Sequence, residues 1–152
     1  MQGAPAVVGD LVVFSVVGGT EFGVNRFTRE LAWTYTSLPI QATVAQTESV
    51  GSIVYHDAGD QTIVALQAAT GAVVWKGGYG GQAVVDFLGT DRAVYVSVAR
   101  DLVVLDCQSG REVQRVRRGS ATASGIVASP AIFADGRIYA VADNALLCLK
   151  ER

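Results

Sequence analysis

Residues Ala65-Leu66-Gln67-Ala68-Ala69-Thr70-Gly71-Ala72-Val73-Val74-Trp75 decide how the rest of the chain is read. A short strand, Ala65-Leu66, runs into a Thr70-Gly71 turn and emerges on Ala72, Val73, Val74 and a tryptophan. Taken alone, the stretch is one hairpin. Repeated in phase, it would be the outer half of a sheet unit stacked many times, and the fold would be an array.

Outward from this hairpin, helical periodicity is almost absent. The apolar runs are short and β-branched: Leu11-Val12-Val13-Phe14, Ile63-Val64-Ala65-Leu66, Ala93-Val94-Tyr95-Val96 and Leu102-Val103-Val104-Leu105. Between them sit Gly18-Gly19, Ala58-Gly59-Asp60, Gly77-Gly78, Ser109-Gly110 and Asp135-Gly136. Short strands broken by glycine turns at intervals of about eight to twelve residues imply an all-β fold.

A period runs through these strands. An aromatic ends an apolar run at Phe14, Tyr55, Tyr95 and Tyr139, at spacings of 41, 40 and 44. Nine or ten places later comes Gly23, Ala65, Val104 or Cys148, and ten beyond that come Trp33, Trp75 and Gln114. The ends share the phase: Pro5 precedes Phe14 by nine residues, as Pro130 precedes Tyr139. Each repeat therefore has four strands: an inner one beside the Pro-Ala element, one ending on the aromatic, one running to the Thr-Gly turn, and an outer one carrying the tryptophan. A four-stranded unit of about 40 residues is a β-propeller blade. The register predicts antiparallel blades over about 4–41, 42–81, 82–122 and 123–152 within one partial propeller domain spanning 1–152, the last blade lacking its outer strand. That is about 3.75 blades, half of a ring of seven or eight.

These residues carry a family pattern. Ala65-x-Gln67-x-x-Thr70-Gly71-x-x-x-Trp75 resembles the tryptophan-docking repeat of quinoprotein-type propellers, with glutamine where that family usually has aspartate. The same line reads Gly23-x-Asn25-x-x-Thr28-Arg29-x-x-x-Trp33 in the first blade and Val104-x-Asp106-x-x-Ser109-Gly110-x-x-x-Gln114 in the third. Ser129-Pro130-Ala131-Ile132 to Arg137-Ile138-Tyr139 resembles the two innermost strands of such blades, and Ala145-Leu146-Leu147-Cys148-Leu149 resembles how many of them end. The resemblance implies that Trp33 and Trp75 lie flat over the neighbouring blade and donate their N–H to a backbone carbonyl. Thr70-Gly71 and Ser109-Gly110 would then turn the third strand into the fourth, glycine taking positive φ. Arg29 replaces that glycine, so its turn is expected to be built differently.

Enzymes of that family hold pyrroloquinoline quinone and calcium on the ring axis with an aspartate base, and several carry a disulfide between adjacent cysteines. This sequence has no Cys-Cys pair and no evident cluster of inward carboxylates and amides, so no catalytic, cofactor or metal residue is assigned. Net charge is −2 and charged residues are 17%, which implies no nucleic-acid footprint. Arg115, Arg117 and Arg118 read as a solvated strand end. Cys107 and Cys148 have no metal-ligand spacing, and no run reaches the roughly 18 apolar residues of a membrane span. Met1-Gln2-Gly3 opens no secretion signal, so an extracytoplasmic location is expected only if the segment belongs to a longer, signal-bearing chain.

His56-Asp57 with Asp60 and Ser52 nearby is read as a turn. Asp86, Asp91, Asp101 and Asp135 are read as turn residues flanking strands, and Gly77-Gly78-Tyr79-Gly80-Gly81 as a glycine run that precedes a strand rather than a phosphate-binding helix.

The leading expectation is a non-catalytic scaffold or binding module acting through funnel or rim loops toward a protein partner. A half ring exposes two apolar blade faces, which a second copy on a twofold axis, or another propeller segment, would cover. The alternatives are the C-terminal fragment of a quinoprotein dehydrogenase whose ligands lie in other blades, and an extracytoplasmic sensor or assembly factor. The register predicts that Trp75→Ala loses about 3–5 kcal/mol in chemical denaturation, as a core aromatic truncation does, while Gln114→Ala loses little. Equal, mild losses would overturn it.

Overall fold

The fold follows from strands too short and too β-branched to do anything but pair with their neighbours. The computed structural model describes residues 4–16, 19–37, 46–58, 61–80, 84–98, 101–117, 131–142 and 145–150, and among these there is no helix. The first sheet contains β1 (Ala6–Val8), β2 (Leu11–Val16), β3 (Thr20–Asn25) and β4 (Leu31–Thr36). The second contains β5 (Thr47–Val50), β6 (Ile53–Asp57), β7 (Thr62–Gln67) and β8 (Val73–Gly78). The third contains β9 (Val84–Gly89), β10 (Ala93–Val98), β11 (Asp101–Asp106) and β12 (Glu112–Arg117), and the last β13 (Ile132–Ala134), β14 (Arg137–Ala142) and β15 (Ala145–Lys150). Every sheet is an antiparallel meander in chain order, so the molecule is an all-β partial propeller. The expected boundaries at 41/42, 81/82 and 122/123, like Ser129 and Pro130, lie outside the described residues.

The sheets are held by three apolar layers, one between each consecutive pair. Val13 and Trp33 meet Val54, Val64 and Leu66 between the first two. Tyr55, Ile63 and Trp75 meet Val94, Val96 and Leu105 between the second and third, and Tyr95, Leu102 and Val104 meet Ile138 and Ala140 between the third and last. Strand alternation makes this possible, because odd and even positions of one strand feed two different layers.

The first blade corrects the sequence register by one residue. Tyr55 pairs with Ala65, Tyr95 with Val104 and Tyr139 with Cys148, but Gly23 pairs with Val13, while Phe14 pairs with Phe22. Phe14 is therefore on the opposite face from Tyr55, since a slip of one residue in a strand reverses the face. The aromatics also sit within their strands rather than at the ends: Tyr55, Tyr95 and Tyr139 are each the third residue of β6, β10 and β14.

The turns between third and fourth strands correct a second expectation. Gly71 and Gly110 have φ 69°, and Arg29 has φ 65°. Their N–H groups donate to Gln67, Asp106 and Asn25 carbonyls, each at 2.8 Å. The Arg29 turn is thus built as the glycine turns are, with an arginine held in the left-handed region. Asn25 Oδ1 supports it by accepting from the N–H groups of Phe27 and Thr28 at 2.9 and 3.0 Å. Left-handed backbone strains a residue that carries a Cβ. We expect Arg29→Gly to raise unfolding free energy by about 1 kcal/mol in a denaturant titration; a loss of stability would show that the arginine side chain holds the turn.

Candidate functional site

The position before the docking line separates the first junction from the other two. On the third strand, Glu21, Ile63 and Leu102 stand two residues before Gly23, Ala65 and Val104, at one repeat position. Glu21 meets His56 of the next blade, whose repeat position is filled by Val96 and Ala140 in the layers that hold Ile63 and Leu102. Two junctions are closed by aliphatics; the first holds a glutamate and a histidine at 0% and 1% exposure. His56 lies in β6, not in the turn that the sequence suggested, with Thr47 opposite it in β5.

The carboxylate of Glu21 has three side-chain partners. His56 Nδ1 lies 2.7 Å from Oε2, Ser15 Oγ donates to Oε2 at 2.8 Å and Thr47 Oγ1 donates to Oε1 at 2.8 Å. The two hydroxyl oxygens are 2.6 Å apart. A carboxylate accepting at 2.7 Å places the imidazole proton on Nδ1. His56 Nε2 is buried without a hydrogen-bond partner among the described residues, and Tyr35 packs edge-on at 6.1 Å between ring centroids. Lys76 in turn lies 5.8 Å over the Tyr35 ring, linking the outer strands of the two blades.

Serine, histidine and glutamate do not form a hydrolytic triad here. Such a triad puts the acid on one imidazole nitrogen and the nucleophile on the other. Ser15 Oγ reaches only Nδ1, at 3.5 Å, the same nitrogen that Glu21 holds. The chemistry this cluster can perform is to lock two blades in one register through paired buried polar groups.

Two further carboxylates stand on first strands, where a propeller blade borders the central channel. Burial pushes Glu48 up to about 7, against the lowering effect of the Gly89 N–H, which donates to its Oε2 at 2.8 Å; nearby Asp86 raises it further. Asp86 is also raised by burial, Gln46 and the Phe87 N–H acting the other way. Asp86 thus sits inside β9 opposite Ser97, not in a turn. Among the described residues no three histidine, cysteine or acidic side chains gather to hold a metal ion.

The other sequence-named residues are dispersed. Trp33 Nε1 donates to the Ala68 carbonyl and Trp75 Nε1 to that of Cys107, each at 2.8 Å. The indoles lie over Gly71 and Gly110, where a Cβ on Gly71 would come within 2.6 Å of the Trp33 ring. Thr70 Oγ1 and Ser109 Oγ accept from the N–H groups of Ala72 and Arg111 at 3.3 and 3.5 Å. Gln114 faces Val104.

Arg115 is no solvated end. It bonds Asp101 at 2.9 Å and Glu112 at 2.7 Å, and donates to the Tyr79 carbonyl of the preceding blade at 2.6 Å. The side chain of Arg117 and all of Arg118 lie outside the described residues. Asp101 is therefore an ion-pair partner within β11, while Asp91 and Asp135 remain in turns.

Sequence reasoning missed Glu21, Ser15 and Thr47, although one signal was present: a glutamate in the repeat position that Ile63 and Leu102 fill. The neighbouring junction shows what the first would be without its polar pair. Glu21→Ile alone or His56→Val alone is expected to destabilise by about 3–5 kcal/mol, and the two together to be neutral or stabilising by up to about 4 kcal/mol. Additive losses in a double-mutant cycle would overturn this.

No family model and no curated protein matches the sequence. Solved structures do. BamB from Moraxella catarrhalis matches with TM-score 0.77 and 20% identity, over 98% of this chain and 49% of that one. The computationally designed Ika4 protein matches with TM-score 0.77 and 19% identity, over 99% of this chain and 92% of that one. Quinohemoprotein alcohol dehydrogenase from Comamonas testosteroni matches with TM-score 0.65 and 20% identity, over 77% of this chain and 21% of that one. The chain spans about half the length of BamB. Sheets and likenesses agree on the fold: the chain is part of a β-propeller.

Proposed function

We propose that this chain is a non-catalytic propeller binding module that completes its ring with a second copy of itself. The observation that carries this reading is the outer face of the first blade. Val12, Phe14, Phe22 and Val24 occupy the positions of Val54, His56, Val64 and Leu66 in the second blade. The second-blade residues are at most 1% exposed, and Val94, Val96, Val103 and Leu105 of the third are all at 0%. In the first blade the four are only half-buried, with Phe14 and Phe22 stacked at 5.5 Å. At the other end, Leu146 is 67% exposed.

The two ends are the complementary faces that every internal junction joins, so two copies on a twofold axis would bury both. The left-handed Arg29 fits this closure. Both tryptophans of the chain lie over Gly71 and Gly110, so no indole demands a glycine at position 29. We read Trp33 and Trp75 with their Thr70-Gly71 and Ser109-Gly110 turns as clasps between blades rather than as a site. Light scattering is expected to give twice the 15.9 kDa chain mass, falling to one chain in Phe22→Glu. A folded wild-type monomer would overturn the ring.

A second reading, a piece of a quinoprotein dehydrogenase, is favoured by the likeness to the Comamonas enzyme and by Glu48 and Asp86 on first strands. Saturable binding of pyrroloquinoline quinone with Ca²⁺, with dye reduction, would replace the first reading by this one. An extracytoplasmic location belongs to either reading if the segment is part of a longer, signal-bearing chain.

A further inference from the structure

One residue on the inner strands breaks the pattern of its repeat position. Ala6, Leu88 and Ile132 stand opposite Val13, Tyr95 and Tyr139 in the first, third and last blades. The residue opposite Tyr55 in the second blade is Glu48. Across the junction, Gly89 of β9 is also the exception at its position, which Val7, Ser49 and Phe133 fill in the other blades. The two exceptions meet, because the Gly89 N–H donates to Glu48 Oε2 at 2.8 Å.

This approach requires a glycine. A Cβ at Gly89 would come within 2.8 Å of the Tyr55 ring and 3.0 Å of the Val50 side chain. Tyr55 is itself 2% exposed and packs on Trp75, so the seam continues the core of the second junction. Glu48 is half-buried there without a cation. The ion pairs among the described residues are those of Glu21 with His56 and of Arg115 with Asp101 and Glu112. The ionisable groups that bear on Glu48 are Asp86 of β9, a second carboxyl, and Tyr55 of β6. Strands β1 and β2 also pack against β5, and neither contains an ionisable side chain. A carboxylate held between two sheets beside another carboxyl, with no cation, is costly; a bound proton removes that cost.

We propose that Glu48 is a proton-operated catch on the inner seam between the second and third blades. Neutral, its carboxyl stays between the sheets on the Gly89 N–H; ionised, it turns toward the channel and releases that bond.

Opposed effects set the range in which the catch works. Burial raises the carboxyl most, the Gly89 N–H lowers it and Asp86 raises it again, and the outcome is about 7. An acid raised in this way holds its proton more tightly in the fold than in the unfolded chain. Its contribution to stability is therefore whole below the ordinary value of 4.5 and is lost as pH rises through about 7. Tyr55, pushed up to about 12 chiefly by burial, stays neutral across that window.

The test follows the full chain, carrying ¹³C in its glutamate carboxyls, by NMR from about pH 4 to about pH 9, with hydrogen exchange read at the Gly89 amide. Glu48 is expected to titrate near 7, and Gly89 protection, relative to its intrinsic exchange rate, to fall about tenfold across that midpoint. Glu48→Gln keeps an acceptor without a charge, and is expected to leave Gly89 protection independent of pH. Should that variant fail to fold, Asp86→Asn removes the neighbouring charge and is expected to move the Glu48 midpoint, and the loss of Gly89 protection with it, to lower pH. A Glu48 midpoint in the ordinary carboxylate range, Gly89 protection that does not change with pH, or a change that survives both substitutions unaltered would overturn the proposal.

Discussion

Every blade in this molecule needs a neighbour to cover its second face. A strand alternates its side chains, so a four-stranded antiparallel sheet built from Val, Ile and Leu on both faces has no side fit for water. Stacking such sheets face to face satisfies one face of each, and the remaining face passes the requirement to the next sheet. The fully buried Val54, Val64 and Leu66 on one face of the second blade, and Ile63 and Ala65 on the other, show the requirement met from both sides. The half-buried Phe14 and Phe22 show it unmet within the chain. The two unlike ends, and the proposed closure with a second copy, follow from this constraint.

Within that common frame, the junctions differ in how they are fastened, and the differences are informative because the repeat supplies its own controls. The junction of the second and third blades combines aliphatic packing, the Trp75 indole and the Arg115 bonds to the Tyr79 carbonyl, Asp101 and Glu112. The first junction replaces aliphatic packing at one position with the Glu21–His56 pair and two hydroxyls. A buried pair of this kind adds little net stability over a well-packed apolar pair, but it penalises any pairing that leaves one member alone. In an array of similar blades, that penalty distinguishes the correct neighbour from the others. At the third junction Tyr95, Leu102 and Val104 pack on Ile138 and Ala140, and a groove lies beside Gln114.

The geometry also limits chemistry. In the serine–histidine–glutamate cluster the histidine and glutamate are buried, and a single imidazole nitrogen faces both acid and hydroxyl. Among the described residues, the first strands carry two carboxylates, Glu48 and Asp86, and burial raises both.

What the sequence determined by itself was the repeat: the β-branched runs, the Thr70-Gly71 and Ser109-Gly110 turns and the phase of Trp33, Trp75 and Gln114 are local patterns, each set by propensity and spacing. It misled where a pattern had to be counted to the residue. Phe14 looked like the partner of Tyr55, yet pairing puts Val13 there, because register is fixed by hydrogen bonds across strands and not by resemblance along the chain. It misled again at Arg29, where the turn's backbone is set by its hydrogen bonds to Asn25 and overrides the residue's dislike of positive φ. Only the tertiary structure decided that Glu21 meets His56, two residues 35 positions apart that share no local motif. That is a fact about what one sheet presents to the next, and the contact exists only once the blades have stacked.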